Sequence, residues 1–193
     1  MKEKKYRIVL GSQSARRQQL LKGLDIDFEI KTLDNTEEIF PADMPAGEVA
    51  PYLARRKAEA LQPLADDELL ITADTVVVVD GKIYGKPSDK EEARSMLQTL
   101  SGRMHEVITG VAVTTAERSV VFSVSTEVWF THISTEDIDY YIERYRPFDK
   151  AGSYGIQEWI GFVGIERIEG SFYNVMGLPI HRIYRVLKDF GAI

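Results

Sequence analysis

The feature that most constrains this chain is the run Leu69-Leu70-Ile71-Thr72-Ala73, which resumes after Asp74-Thr75 as Val76-Val77-Val78-Val79. Apolar side chains here do not alternate with polar ones, so a strand in this place must be covered on both faces. The rest of the chain has to supply that cover. Upstream, Ile8-Val9-Leu10 predicts a short buried strand ending at Gly11, and the spacing of Leu20, Leu21 and Leu24 predicts a helix over 15–24. A second helix is expected over 48–61, with Pro51 in its first turn or marking a later start, because an interior proline would break it.

Downstream, Asp80-Gly81 signals a hairpin turn, and Ser88-x-x-Glu91 has the form of a capping box, which places a helix over 89–100. Two long strands, 107–115 and 120–130, follow as a hairpin. Ser134 caps a helix with Ile138, Tyr141, Ile142 and Tyr145 on one stripe, and Pro179 opens a last helix carrying Ile180, Ile183, Tyr184 and Leu187. Between those helices one strand is expected over 162–168. The sum is an α/β fold on a mixed sheet. No repeat, linker or low-complexity block divides it, so one domain spanning 1–193 is expected.

Composition narrows the chemistry. Lysine and arginine number 24 against 30 acidic residues, a net charge of −6, so there is no broad basic field for nucleic acid. A polyphosphate would have to be met by a few locally placed cations. The absence of cysteine excludes disulfides, thiolate zinc sites and a cysteine nucleophile. No apolar stretch nears the roughly 20 residues of a membrane span, and no targeting segment is visible, which reads as a soluble cytoplasmic protein. His105, His132 and His181 have no partners at metal-ligand spacing, and the G-x-S-x-G elbow of serine hydrolases does not occur.

Three segments could carry chemistry. Gly11-Ser12-Gln13-Ser14-Ala15-Arg16-Arg17 joins a strand to a helix, where free N–H groups and hydroxyls converge. It fits either a phosphate cradle or a plain N-cap at Ser14 with two solvated arginines. Asp74 interrupts an apolar strand region, so its carboxylate needs a metal, a cation or hydrogen bonds. It fits either a water-activating or metal-binding acid, or an aspartate satisfying backbone N–H groups at a bend. Lys57 lies four residues from both Leu53 and Leu61, which puts its stem on an apolar stripe with its ammonium either turned inward or snorkelling to solvent. Lys86 sits in the constrained turn Tyr84-Gly85-Lys86-Pro87, and Glu37-Glu38 is an acidic pair in a polar loop. The third segment, 149–157 with 170–179, is rich in small residues that let a ligand approach the backbone.

Taken together, the chain resembles the Maf family of nucleoside triphosphate pyrophosphatases almost end to end. The likeness is carried by Ser12-x-Ser14-x-Arg16-Arg17, Ala73-Asp74-Thr75-Val76-Val77, Lys86-Pro87, Leu100-Ser101-Gly102-Arg103 and Thr109-Gly110-Val111. It continues in Asp149-Lys150-Ala151-Gly152-x-Tyr154-Gly155-Ile156-Gln157 and Gly170-Ser171-x-Tyr173-Asn174-Val175-x-Gly177-Leu178-Pro179. One departure is Ala15, where the family usually has proline and so a preset backbone.

The resemblance implies an elongated, twisted mixed sheet flanked by helices, like that of the inosine triphosphatase group, with two lobes around a cleft, and commonly a homodimer. It implies hydrolysis of a nucleoside triphosphate to monophosphate and pyrophosphate with a divalent cation, Mg, Mn or Co. By motif position Asp74 matches the general base, and Glu37 with Asp74 matches the metal-associated acids. Ser12, Arg16, Arg17, Lys57 and Lys86 match phosphate-facing positions. Arg16, Thr75 and Gln157 match positions that distinguish the branch acting on dTTP and UTP. The alternatives are an enzyme for 7-methyl-GTP within the same family and a nucleotide-binding regulator of septum formation without turnover.

Overall fold

A computed structural model describes residues 6–32 and 39–193. The chain begins with β1 (Arg7–Leu10), α1 (Ala15–Lys22), β2 (Glu29–Ile30) and α2 (Ala46–Ala60). It continues through β3 (Glu68–Val79), β4 (Lys82–Tyr84), α3 (Lys90–Leu100), β5 (Met104–Thr114) and β6 (Ser119–Phe130). Last come α4 (Thr135–Tyr145), a 3-10 turn at Ala151–Ser153, α5 (Trp159–Gly164), β7 (Ile165–Glu169), α6 (Phe172–Val175) and α7 (Ile180–Asp189).

Among the described residues the strands form one seven-stranded sheet in the order β2-β1-β3-β5-β6-β7, with β4 paired to β3. It is mixed: β1 runs parallel to β2 and β3, whereas β4 is antiparallel to β3 and β7 to β6. The β3–β4 turn uses the left-handed backbone at Asp80 (φ 49°) and Gly81 (φ 76°), the hairpin geometry that the Asp-Gly pair favours.

The residues gather into two compact units. The first comprises the described residues of Met1–Asp74 with Thr109–Val124 and Gly177–Ile193; the second comprises Thr75–Ile108 and Ser125–Met176. In the first unit Val9, Ala54, Ala58, Leu61, Leu64, Leu70 and Ala112 form one buried cluster, which joins the inner face of α2 to the sheet. Gly110 allows that approach, because a Cβ there would lie 2.1 Å from the Pro51 nitrogen. In the second unit Ile138, Tyr141 and Ile142 bury one stripe of α4, and Ala93, Met96, Leu97 and Leu100 do the same for α3.

Four local expectations need correction. Pro51 lies well inside α2 rather than in its first turn, because the helix starts earlier, at Ala46, and burial of its inner face outweighs the lost backbone bond. The cap of α3 is Asp89, whose side chain accepts from the Glu92 N–H, while Glu92 reaches back to both the N–H and the hydroxyl of Ser88. The reciprocal capping chemistry is present but one residue later than the Ser88-x-x-Glu91 reading. No break occurs at Asp74-Thr75, since β3 runs through both as one twelve-residue strand. The strand expected over 162–168 begins at Ile165, and α5 takes the apolar residues before it. A short apolar run does not distinguish helix from strand, and here Gly161 N–H donates to the Glu158 carbonyl at 2.9 Å, which turns the segment helical.

Candidate active site

In the first unit, the parallel pairing of β1 with β3 fixes where the chain leaves β1. Gly11 N–H still donates to the Ile71 carbonyl at 2.8 Å, and a Cβ on Gly11 would stand 2.7 Å from Thr72 Cγ2. The next residues form the loop into α1. Ser12 is buried, and its hydroxyl accepts from the Ser14 N–H at 3.2 Å. Ser14 is the N-cap of α1, accepting from the Arg17 N–H. Arg17 is anchored through Nε to the Gly177 carbonyl at 2.8 Å, and Arg16 stands half-buried beside it. The plain N-cap is therefore present, and Ser12, Arg16 and Arg17 stand beside it at the start of the same helix.

Asp74 is 4% exposed on β3. Thr72 and Asp74 share one face of the strand, two residues apart. Thr72 Oγ1 donates to the Ala54 carbonyl of α2 at 2.6 Å, and one helical turn beyond Ala54 lies Lys57. That registration brings the Lys57 ammonium onto Asp74 Oδ1 in a direct ion pair, with the two side chains 17% and 6% exposed. The lysine turns inward instead of snorkelling. The carboxylate gains a cation in place of its lost hydration.

In the second unit, Thr75 is half-buried on β3 and Lys86 is exposed on the turn after β4. The neighbouring Gly85 carbonyl accepts from the Gly152 N–H at 3.0 Å, so the Lys86 turn is tied to the loop over 149–158. Gln157 lies in that loop, and among the described residues its buried Oε1 has no hydrogen-bond partner. Glu37 lies outside the described residues. Among the described residues no three histidine, aspartate or glutamate side chains form a cluster that could hold a metal ion.

The sequence profile of the Maf-like proteins matches residues 7–190. The chain belongs to the Maf-like protein family. It is 61% identical over 191 residues to a dTTP/UTP pyrophosphatase of Porphyromonas gingivalis ATCC 33277, covering 97% of this chain and 96% of that protein. A dTTP/UTP pyrophosphatase of Parabacteroides distasonis is 53% identical over 188 residues, with 97% of each chain covered. One from Flavobacterium johnsoniae is 47% identical over 187 residues, with 96% of each covered. Among solved structures, a HAM1 protein from Coxiella burnetii has a similar fold, with a TM-score of 0.50 at 17% identity over 95% of this chain and 99% of that one.

This Maf-like protein also holds polar groups that sequence reasoning left without a role. Lys150 is 7% exposed and bridges Asp149 Oδ1 at 2.7 Å and Glu158 Oε1 at 3.1 Å. Glu158 Oε2 accepts from the Tyr141 hydroxyl, which in turn accepts from the Gly155 N–H at 3.0 Å. Burial, then the hydrogen bond to Glu158, pushes the Tyr141 hydroxyl well above the usual tyrosine range, so it keeps its proton as a donor. His105 Nε2 shares a 2.7 Å hydrogen bond with the buried Tyr154 hydroxyl, and its ring meets Phe130 and Tyr154 edge-on. Burial pulls His105 down to about 3. It is a neutral structural histidine, in keeping with its lack of ligand spacing. Lys150 was visible in the Asp149-Lys150-Ala151-Gly152 motif; Tyr141 announced only a helix stripe, and nothing in the sequence signals its hydroxyl contact.

Among the described residues no helix is long and apolar enough to cross a membrane.

Proposed function

We infer that this Maf-like protein hydrolyses dTTP and UTP at the α-β phosphoanhydride, giving nucleoside monophosphate and pyrophosphate. The names of relatives 47% to 61% identical over nearly the whole chain support the reading. The observation that carries it is the buried Asp74 in the midst of an apolar strand, held by Lys57. A carboxylate so placed is costly to the fold, and it is the group with which to take a proton from water attacking the α-phosphorus. An ammonium has three donors, so Lys57 can serve both Asp74 and a phosphate oxygen. Ser12, Arg16, Arg17 and Lys86 would hold the remaining phosphate charge, which grows on the leaving pyrophosphate as the bond breaks.

The donor chemistry fits a divalent cation, Mg, Mn or Co. Asp74 offers hard carboxylate oxygen, and such ions are held by one or two carboxylates together with substrate phosphates. Asp74 and, by motif position, Glu37 would hold it. When bound, the cation supplies charge neutralisation and acidifies water. For the base, Gln157 brings an amide that can donate to O4 and accept from N3–H of uracil or thymine, and among the described residues its buried Oε1 has no hydrogen-bond partner. Guanine, with adjacent donors at N1 and N2, matches it less well. By motif position Arg16 and Thr75 match the other residues that distinguish the dTTP/UTP branch. The family resemblance is what supports a homodimer and a cytoplasmic place of action.

The test is a panel of dTTP, UTP, CTP, GTP, ATP and 7-methyl-GTP with each cation, with phosphate measured before and after adding inorganic pyrophosphatase. Phosphate is expected only after the addition, and fastest with dTTP and UTP. Direct release of phosphate with a nucleoside diphosphate would overturn the assignment. Tight binding without turnover would make the protein a nucleotide-binding regulator instead.

A further inference from the structure

Gln157 occupies one of the two central positions of a tight turn, since the Glu158 N–H donates to the Gly155 carbonyl at 3.0 Å. Both ends of this turn are held by one side chain. The Tyr141 hydroxyl, reaching in from α4, accepts from the Gly155 N–H and donates to the Glu158 carboxylate. The second carboxylate oxygen of Glu158 pairs with buried Lys150, which joins the exit of the loop to its entry. The turn is also packed without slack. A Cβ on Gly155 would lie 2.9 Å from Gln157 Nε2, and one on Gly161 would lie 1.8 Å from the Ile156 carbonyl oxygen. Through Gly152 N–H and the Gly85 carbonyl, the same loop holds the turn that carries Lys86.

We propose that Tyr141, Glu158 and Lys150 form a buried latch that positions the Gln157 amide for base recognition. None of the three touches substrate; they are positioning residues, and the inference rests on the reading of Gln157 as the residue that recognises the base. A glutamine amide discriminates only when its direction is fixed, because a flip exchanges donor and acceptor. Pinning the backbone on both sides of Gln157, with its Nε2 against Gly155, removes most of that freedom. A buried ion pair in this place adds little net stability, and its contribution is the geometry it holds.

A double-mutant cycle on the full chain tests this, with kcat/KM measured for dTTP and GTP and melting temperature followed in parallel. Gln157→Ala should lower the dTTP:GTP ratio about tenfold, the size of one lost oriented hydrogen bond. Tyr141→Phe, which removes only the hydroxyl, should lower the same ratio by roughly threefold or more, mainly through KM for dTTP. In the Gln157→Ala background Tyr141→Phe should leave the ratio within about twofold, because the residue acts through Gln157. A simple loss of folded protein would reduce both substrates alike and leave the ratio and KM untouched, which overturns the latch. So does a fall in the ratio that persists in full without Gln157. An unchanged ratio in Gln157→Ala alone would remove the base-recognition role of Gln157, and the latch with it. Should Tyr141→Phe prove insoluble, Glu158→Gln, which keeps an acceptor for Tyr141 but discards the charge facing Lys150, takes its place in the same cycle.

Discussion

Replacing Lys57 by methionine keeps the length of the side chain and removes its charge, leaving the Asp74 carboxylate at 6% exposure without its cation. Breaking a buried pair from one side costs about 3–5 kcal/mol, since the remaining charge stays buried and loses its countercharge. For a chain of this size each kcal/mol moves the midpoint by roughly 2–4 °C, so Lys57→Met should melt at least about 6 °C below the parent. Asp74→Asn is the milder insult to the fold. It takes the countercharge from an ammonium that is 17% exposed on a flexible stem able to swing towards water, at about 1–2 kcal/mol. Its effect on turnover should be the larger, because an amide cannot take a proton and a general base contributes about 10²- to 10⁴-fold. The double variant carries neither charge and should be more stable than the two single losses added together, by about 2 kcal/mol. Thermal melting followed by circular dichroism, and pyrophosphate release coupled to inorganic pyrophosphatase, read the two effects separately. A Lys57→Met protein melting within 2 °C of the parent would refute the buried-pair argument, and an Asp74→Asn enzyme with near-normal turnover would remove Asp74 from the chemistry.

The remaining expectations are simpler. Because His105 is held down to about 3 in the folded state against about 6.5 when unfolded, the unfolded chain binds the extra proton between those values. Stability therefore falls as pH drops below about 6.5, by at most about 1.4 kcal/mol per unit; urea midpoints at pH 7 and pH 5 should show it, and His105→Gln should flatten the difference. Gly110→Ala places a Cβ 2.1 Å from the Pro51 nitrogen, so it should destabilise by about 3 kcal/mol or more, and soluble expression at the parental level would contradict the close approach of α2 to β5. Exhaustive chelation with EDTA should abolish pyrophosphate release, and Mg, Mn or Co should restore it. Full turnover in EDTA would dismiss the cation.

What could be read from the sequence was whatever depends on neighbours in the chain. The apolar runs on either side of Asp74-Thr75, which do not alternate, announced a strand covered on both faces, and the Asp80-Gly81 turn, the caps at Ser14 and Ser134 and the stripe of α4 are all visible within windows of a few residues. Where local signals conflicted, the tertiary structure decided. Pro51 argues against an interior helical position, yet burial of Val49, Ala50, Leu53, Ala54 and Ala58 on one face keeps the helix. The segment before β7 had no period to read, and its helical turn depends on the Glu158 carbonyl meeting the Gly161 N–H.

The candidate site divides along the same line. Asp74 stood out because a charge in an apolar strand violates a local rule, and such violations concentrate at functional sites. Lys57 needed one further step, from the helical stripe that aims its stem at the sheet. Tyr141 breaks no rule, because an aromatic at that position of an amphipathic helix looks like core whether or not its hydroxyl has work to do. Its partners lie 14 and 17 residues away, at Gly155 and Glu158, a pairing that only the folded α4 and the loop over 149–158 create. Residues that do chemistry are thus more legible than residues that hold them in place. The former must be unusual where they stand, whereas the latter need only meet the right backbone atom.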